Sequence, residues 1–343
     1  MRVVLVTGGA GFIGSNFVRM VLLGFPDIYI VNLDCLTYAG NLENLSDFID
    51  CANHKFIKGN ICNKELVGKI VDRYAVDAII NFAAESHVDR SITDAKVFIE
   101  TNISGTLALL EIARDKGLKF IQISTDEVYG SLGEVGVFTE QTSLSPNSPY
   151  AVSKASADLM VQSFGNTWGL KYNITRCSNN YGPHQFPEKL IPLMINNAIN
   201  DKGLPVYGDG RQVRNWIHVD DHCGAILTVL NNGENGEIYN VGSDDGEKTN
   251  MEIVNLILKR LDKPHSLIRH VKDRPGHDRR YAISASKIML RLGWKPLVDF
   301  ERGINRTIDW YLTNKKWMEK ITSGEYQKYY ENMYKEGSRH ELV

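Results

Sequence analysis

The sequence lacks long apolar runs, paired cysteines and a strong net charge, and each absence excludes a class of protein. No apolar run approaches the roughly 18 residues of a membrane span, and there is no internal repeat or low-complexity tract. The five cysteines have no C-x-x-C spacing, which argues against a metal site or a disulfide framework and favours a reducing cytoplasm. A formal net charge of −2 gives no electrostatic basis for binding nucleic acid or an anionic membrane.

What is present is an ordinary globular composition. The chain has 343 residues, of which 43% are hydrophobic, and this is enough for two lobes around one cleft. The apolar run at residues 1–6 is too short for the core of a signal peptide, so it predicts a buried strand and not a targeting segment.

A glycine-rich turn follows this first strand. Gly9, Gly11 and Gly14 satisfy the spacing G-x-G-x-x-G, with a strand before them and helical character after them, at residues 15–23. Glycines allow a tight turn and a close approach of the pyrophosphate, and the free N–H groups of the helix attract its charge. The stretch therefore predicts a dinucleotide-binding βα unit.

A carboxylate ends the second predicted strand, residues 28–33. Asp34 lies about 20 residues after Gly14, the spacing expected of a group that binds the adenosine ribose. A carboxylate there repels a 2′-phosphate, so the sequence favours NAD over NADP.

Two further apolar stretches, 56–61 and 78–82, predict the next strands. Asn60 is a candidate contact for the edge of the adenine. Ala83 and Ala84 follow the second stretch, and such small residues let a flat cofactor lie close to the backbone at the ligand-binding edge of a parallel sheet.

Three polar residues near this edge allow two interpretations each. His87 and Asp89 are either catalytic or merely order their loop. Asn102 lies in a predicted long helix, 96–115, and either bonds within the helix or anchors a catalytic lysine from behind.

The candidate reaction centre follows the buried strand predicted at 120–124. Thr125, Asp126 and Glu127 place a hydroxyl and two adjacent carboxylates where that strand ends. Taken alone, such a pair is usually solvated. Two carboxyls held close together differ in pKa, however, so that one serves as an acid and the other as a base.

A tyrosine and a lysine complete this centre. Ser148 and Pro149 are typical of a helix start, with the helix predicted to reach about Phe164. Tyr150 and Lys154 are then one turn apart on the same face. A nearby ammonium favours the phenolate, which makes Tyr150 a candidate base beside a nicotinamide ring.

These motifs resemble the extended short-chain dehydrogenase/reductase superfamily. Within it, Thr125-Asp126-Glu127 is similar to the sugar-nucleotide 4,6-dehydratases and most similar to the family acting on dTDP-glucose. The resemblance spans residues 1 to about 315 and includes 34–42, 83–91, 124–130, 176–183 and 273–281. That family commonly has Asp where this chain has Asn60, whose carbonyl is still an acceptor.

The resemblance implies a doubly wound α/β lobe, 1–175, to which 216–242 return, and a smaller mixed α/β substrate lobe, 176–343. It implies NAD contacts from Gly8, Gly11, Phe12, Ile13, Gly14, Asp34, Thr37, Asn41, Asn60, Ile61, Ala83, Ala84, Ser86, Thr101, Tyr150, Lys154 and Asn180. It implies sugar-nucleotide contacts from Ser86, Thr125, Asn179, Glu188, Lys189, Leu190, Pro205, Tyr207, Arg214, Asn250, His277, Asp278, Arg279 and Tyr281.

The implied reaction is an internal redox dehydration. Tyr150 takes the C4 hydroxyl proton as hydride leaves for NAD⁺, Glu127 removes the C5 proton, and Asp126 protonates the departing C6 hydroxyl. Thr125 holds the ketone oxygen. Hydride returns to C6 and C5 is reprotonated, so NAD is regenerated and stays bound. The usual destination of the 4-keto-6-deoxy sugar is dTDP-rhamnose or another deoxysugar.

Other features of the second half are less specific. Asp220-Asp221-His222 predicts a helix N-terminus, where acids are favoured, and not a metal site. The charged loop 273–281 is either solvated or a lid over the substrate. Residues 284–292 and 300–312 predict amphipathic helices, and residues after about 318 carry no usable motif.

Two questions stay open at this level. The helices beginning at Lys96 and Pro149 are expected to form a four-helix contact in a homodimer, as in the family. The alternatives to the reaction above are another sugar-nucleotide dehydratase or decarboxylase of the same fold, or a non-catalytic dinucleotide sensor.

Overall fold

The computed structural model describes residues 1–243 and 245–323. Its strands are β1 (Arg2–Thr7), β2 (Ile28–Asp34), β3 (His54–Lys58), β4 (Ala78–Asn81), β5 (Lys119–Thr125), β6 (Tyr172–Cys177), β7 (Asn179–Tyr181), β8 (Leu204–Tyr207), β9 (Val213–His218), β10 (Ile238–Val241), β11 (Glu247–Thr249) and β12 (Ile268–Val271). Predictions made for residues 324–343, including the end of the predicted second lobe, lie outside the described residues.

The helices alternate with these strands. They are α1 (Phe12–Gly24), α2 (Lys64–Tyr74), α3 (Val88–Thr93), α4 (Ala95–Phe98), α5 (Thr106–Lys116), α6 (Pro149–Trp168), α7 (Leu190–Ile199), α8 (Val219–Asn232), α9 (Asn250–Arg260), α10 (Ser286–Leu292), α11 (Phe300–Thr313) and α12 (Lys315–Ile321). Short 3₁₀ turns occupy Leu42–Phe48, Asp126–Tyr129 and His265–Leu267, and a π-helical stretch occupies Ile99–Gly105. No helix among the described residues has the length and apolarity to cross a bilayer.

A seven-stranded parallel sheet organises the larger part of the molecule. Its order is β10-β6-β5-β4-β1-β2-β3. The strands β2 and β3 therefore lie on one side of β1, and β4 and the later strands lie on the other side. In such a sheet the ligand crevice lies at the carboxyl ends of the strands beside this reversal. The predicted doubly wound α/β fold is confirmed.

Helices bury both faces of the sheet, which explains why its strands are nearly continuous apolar runs. One face packs against α1 and α8 through residues such as Phe17 and Ile226, and the other against α2, α5 and α6 through residues such as Leu109 and Val161.

A second core lies between the helices α7, α9 and α11. It includes Met194, Ile257 and Ile308, all fully buried. The three-stranded sheet β11-β9-β7 and the pair β12-β8 flank this core.

The helix α6 begins as its sequence predicts but runs farther. The hydroxyl of Ser148 accepts a hydrogen bond from the Ala151 N–H at 3.1 Å, and Pro149 occupies the first turn. The helix ends at Gly169, whose φ of +68° is the left-handed conformation that glycine adopts readily. It therefore exceeds the predicted end at Phe164 by one turn.

The predicted helix at 96–115 contains the π-helical stretch, and Asn102 lies within it. The Asn102 amide accepts from the Glu85 N–H at 2.9 Å and donates to the Ser153 hydroxyl at 2.8 Å. Asn102 thus connects the loop after β4 to α6 through Ser153, the neighbour of Lys154 in sequence, and not through the lysine.

Candidate active site

A cavity of about 660 Å³ lies at the carboxyl ends of the strands of the seven-stranded sheet. The structure brings most of the predicted site residues to its wall. Those lining it are Gly8, Gly11, Phe12, Ile13, Gly14, Asp34, Thr37, Asn60, Ile61, Ala83, Ala84, Ser86, Thr101, Thr125, Glu127, Tyr150, Lys154, Asn179, Asn180, Glu188 and Lys189.

The glycine-rich turn has the shape that a pyrophosphate requires. Gly8 has a φ of +70°, and a Cβ on it would lie 2.6 Å from the Ala83 nitrogen. A Cβ on Gly14 would lie 2.3 Å from the Gly8 carbonyl oxygen. Only glycines permit this close approach of turn, helix and strand, so the residues present fit a dinucleotide.

Asp34 lies where the ribose carboxylate was predicted. Its two oxygens accept hydrogen bonds from the N–H groups of Ala10, at 2.9 Å, and Leu36, at 2.8 Å. Burial raises the pKa of Asp34, and these two bonds oppose the rise. The carboxylate is thereby fixed in direction beside the glycine-rich turn.

The other two polar residues predicted for the adenosine end differ in position. The Asn60 side chain accepts from the Cys62 N–H at 2.8 Å and lines the cavity. Asn41 instead lines a neighbouring depression of about 450 Å³, and its side chain caps the turn Leu42–Phe48.

The reacting carboxyl groups lie at the end of β5. The Thr125 hydroxyl accepts from the Glu127 N–H at 3.2 Å and donates to Asp126 Oδ1 at 3.3 Å. Asp126 is 1% exposed, and its Oδ2 has no hydrogen-bond partner among the described residues. Thr125 therefore orders both carboxyls, while one oxygen of Asp126 remains available.

Burial raises the pKa of both carboxyls, and different charges lie near each of them. Burial, together with the charge of Glu127, raises the pKa of Asp126 to about 8. Burial also raises the pKa of Glu127, but the cations Arg274, Lys189 and Arg214 oppose that rise. At neutral pH Asp126 holds a proton that it can donate, and Glu127 is the better candidate for the base.

Tyr150 and Lys154 share a face of α6, as predicted, but the lysine does not dominate the phenol. Burial and the charge of Glu127 raise the pKa of Tyr150, and a hydrogen bond with Thr125 opposes this. The Lys154 ammonium donates to the Ile123 carbonyl at 2.6 Å, and burial lowers its pKa. Desolvation of the phenol thus outweighs the expected effect of the ammonium in this form of the protein.

A buried ion pair that sequence reasoning missed lies one turn beyond Lys154. Asp158 Oδ2 accepts from Arg176 Nε at 2.9 Å, and the two side chains are 0% and 2% exposed. The signal was the spacing of Tyr150, Lys154 and Asp158, each four residues apart on one helix.

Asp158→Asn is expected to lower the free energy of unfolding by about 3 kcal/mol, because it leaves the Arg176 charge buried without its counter-charge. Urea denaturation measures this. Glu65→Gln, which removes a pair with Lys69 whose side chains are more than 70% exposed, is the matched control and should cost under about 0.5 kcal/mol. Equal losses in the two variants would contradict the assignment.

The diphosphate candidates converge from the second lobe. Lys189 Nζ donates to the Ser86 carbonyl at 2.6 Å. The Arg214 guanidinium stacks 4.4 Å from the Tyr281 ring centroid and donates to the Asp278 carbonyl at 2.9 Å. Tyr281 in turn donates to the Asp278 carboxylate.

Within the loop 273–281, Arg274 and Arg279 differ in their surroundings. Arg279 is half exposed and pairs with Asp209 at 2.9 Å, outside the cavity wall. Arg274, missed by sequence reasoning, is close enough to oppose the rise in the pKa of Glu127 and lies 3.6 Å from Asp89. No periodicity in this loop could have distinguished the two.

Other predicted substrate residues also lie outside the cavity wall. Tyr207 donates to Asp89 at 2.8 Å, and His277 bonds Asp273 at 2.6 Å. Leu190, Pro205 and Asn250 lie on α7, β8 and the start of α9. The contacts of Asp89 favour the interpretation that it orders its loop.

A cluster around Glu188 joins the two halves of the site. Glu188 accepts from the Tyr38 hydroxyl and from Arg90 Nε, each at 3.0 Å. The Arg90 guanidinium lies 3.8 Å from the Tyr38 ring centroid. The cluster connects the loop after β2 to the loop before α7.

The fold and the site together define a dinucleotide-dependent enzyme in which the Tyr150 phenol and the Glu127 carboxyl line one cavity, while the adjoining Asp126 is buried behind the cavity wall. The sequence profile of the GDP-mannose 4,6 dehydratase family matches residues 5–307. A dTDP-glucose 4,6-dehydratase of Xanthomonas campestris pv. campestris is 53% identical over 342 residues, covering 94% of this chain and 97% of the relative.

Solved structures agree. The dTDP-glucose 4,6-dehydratase of Bacillus anthracis in complex with NAD has a TM-score of 0.88 and 49% identity, covering 94% of this chain and all of that one. DesIV, the same enzyme of Streptomyces venezuelae with NAD and TYD bound, has a TM-score of 0.90 and 49% identity over 93% and 99% of the two chains. The chain belongs to the GDP-mannose 4,6 dehydratase family, in its dTDP-glucose 4,6-dehydratase branch.

Proposed function

We propose that this protein is an NAD-dependent lyase that converts dTDP-glucose to dTDP-4-keto-6-deoxyglucose and water, in deoxysugar biosynthesis. The observation that carries the proposal is the pair at the end of β5. A carboxyl with a pKa of about 8 adjoins a second carboxyl whose rise in pKa is opposed by three cations. An elimination that removes a proton from one carbon and protonates the hydroxyl leaving the next carbon needs one base and one acid of this kind.

Each catalytic side chain has one role in the proposed reaction. Tyr150 accepts the proton of the C4 hydroxyl, and the Thr125 hydroxyl binds the resulting ketone oxygen. Glu127 removes the C5 proton, which the ketone makes acidic, and the neutral Asp126 protonates the C6 hydroxyl as it leaves as water. NAD⁺ held in the cavity would supply the hydride chemistry at C4 and C6, and the protonated Glu127 returns its proton to C5.

The residues that line the cavity support specific NAD contacts. The glycine-rich turn and α1 receive the pyrophosphate, Asp34 the adenosine ribose, and Asn180 the nicotinamide end. Because NAD is regenerated in each turnover, it need not leave, and we expect it to copurify with the protein.

The division into lobes belongs to this proposal. Residues 1–175, with 216–242, hold the dinucleotide, and the remainder holds the sugar nucleotide. The pairing of β10 with β6 in the large sheet supports the return of the chain to the first lobe. The three free thiols that are not buried, Cys35, Cys51 and Cys62, suit a reducing cytoplasm.

Incubation with dTDP-glucose tests the function. The expected result is a 4-keto-6-deoxy sugar, detected by its absorbance in alkali, with no net reduction of NAD. UDP-, GDP- and CDP-sugars serve as comparisons. Turnover of one of these alone would move the activity to another sugar nucleotide, and turnover of none would leave a dinucleotide sensor.

We also propose that the protein is a homodimer through a four-helix contact. Large apolar side chains are unusually exposed on the helices predicted for it: Ile99 at 52%, Val152 at 47%, Leu159 at 56% and Trp168 at 52%. An apolar surface of this kind is typical of an interface between protein chains.

Leu159→Asp is therefore expected to shift the protein from dimer to monomer, because it would bury a charge in the apolar contact. Sedimentation velocity measures the change. Leu290→Asp, at an 84% exposed leucine on α10, is the matched control and should remain dimeric. Identical sedimentation of the wild type and both variants would argue against the helix face.

A further inference from the structure

The helix α12 ends the described part of the chain, far in sequence from the glycine-rich turn, yet the two are joined by hydrogen bonds. Trp317 Nε1 donates to Asn44 Oδ1 at 2.8 Å, across 273 residues of sequence. The Asn44 amide nitrogen then donates to the Ala10 carbonyl at 3.0 Å.

Ala10 is where this connection meets the cofactor site. Its carbonyl also accepts from the Asn41 N–H at 2.9 Å, and its own N–H donates to Asp34 Oδ2 at 2.9 Å. Hydrogen bonds thus fix the peptide groups on both sides of Ala10. Through the Ala10 N–H they also fix the direction of the Asp34 carboxylate.

The indole of Trp317 fixes the orientation of the Asn44 amide. Asn44 is 1% exposed, so water does not replace a lost partner. An amide can present either its oxygen or its nitrogen to a neighbour, whereas an indole N–H is only a donor. Trp317 therefore keeps the amide oxygen on its own side and the amide nitrogen toward Ala10.

A second contact runs in parallel. Trp317 packs edge-on against Trp310, at 5.0 Å between ring centroids, and near His184, at 5.9 Å. The residue before His184, Pro183, accepts from the Asn16 side chain of α1 at 3.0 Å. Helix α12 thus meets the dinucleotide-binding unit at two places.

From these contacts we propose that Trp317 is a positioning residue for NAD. It does not touch the cofactor but sets, through Asn44 and Ala10, the glycine-rich turn and the carboxylate that receive the adenosine half. The inference rests on the proposed use of NAD, and it assigns a role in cofactor affinity to helix α12 of the second lobe.

The test is NAD binding by Trp317→Phe, which keeps an aromatic ring in the cluster but removes the donor. Protein stripped of cofactor is titrated with NAD by calorimetry, and the rate of NAD loss is followed separately. We expect the dissociation constant to rise about five- to tenfold, because a buried amide oxygen loses its partner. At saturating NAD, kcat should be unchanged.

Trp310→Phe is the matched control, since it removes an indole N–H from the same aromatic cluster but not the one bonded to Asn44. It should bind NAD as the wild type does. If Trp317→Phe lowers the melting temperature of the cofactor-free protein but leaves NAD affinity at the wild-type value, the residue is only structural and the inference is wrong. Wild-type protein that binds no NAD would instead overturn the proposed function.

Discussion

Glu127→Gln is expected to lower turnover about 10²- to 10⁴-fold while leaving the first oxidation step intact. The amide has nearly the shape of the carboxylate but cannot accept the C5 proton. Tyr150 and the dinucleotide-binding residues are unaltered, so the sugar is still oxidised at C4. The reduced nicotinamide then accumulates, because the elimination that would create the hydride acceptor at C6 does not proceed.

Rapid mixing with dTDP-glucose measures this directly. The near-ultraviolet absorbance of the reduced cofactor should rise and persist in the variant, whereas in the wild type it stays low at steady state. Glu111→Gln, at a partly exposed pair with Lys64, is the control and should turn over normally. Normal turnover by Glu127→Gln, or no cofactor reduction in it, would remove Glu127 from its assigned role.

The sequence predicted those parts of the site that depend on local chemistry. A glycine-rich turn between a strand and a helix, a carboxylate after the next strand, and a serine–proline helix start each carry their own structural cause within a few residues. The positions of Gly14, Asp34 and Tyr150 follow from these causes, and all three line the cavity.

What the sequence could not predict depends on contacts between distant segments. The pairing of Asp158 with Arg176 requires the register of α6 on β6, and the bond from Trp317 to Asn44 requires the packing of α12. The proximity of Arg274 to Glu127 depends on the path of an irregular loop. The effect of Lys154 on Tyr150 was overestimated because its burial, and its bond to the Ile123 carbonyl, were not visible.

Asp126→Asn is expected to abolish the alkaline limb of the pH–rate profile as well as most of the activity. With a pKa of about 8, Asp126 is protonated below that pH and loses its proton above it. In the wild type, kcat/KM should therefore fall about tenfold per pH unit above roughly pH 8. Tyr150 titrates with the opposite sign, since its base form grows as pH rises, so it does not produce this fall.

The pH dependence of folding stability is a second measurement of the proton on Asp126. The pKa of Asp126 is higher in the folded protein than the ordinary 3.8, so the folded state retains a proton that the unfolded chain releases. The stability linked to this group is complete below about pH 4 and is lost as pH rises toward 8. Asp126→Asn carries no such proton, so its melting temperature should exceed that of the wild type most at pH 8 and above. A gap of the same size at pH 5 and pH 9 would mean that Asp126 is already ionised at neutral pH, and the donor of the C6 proton would have to be another group.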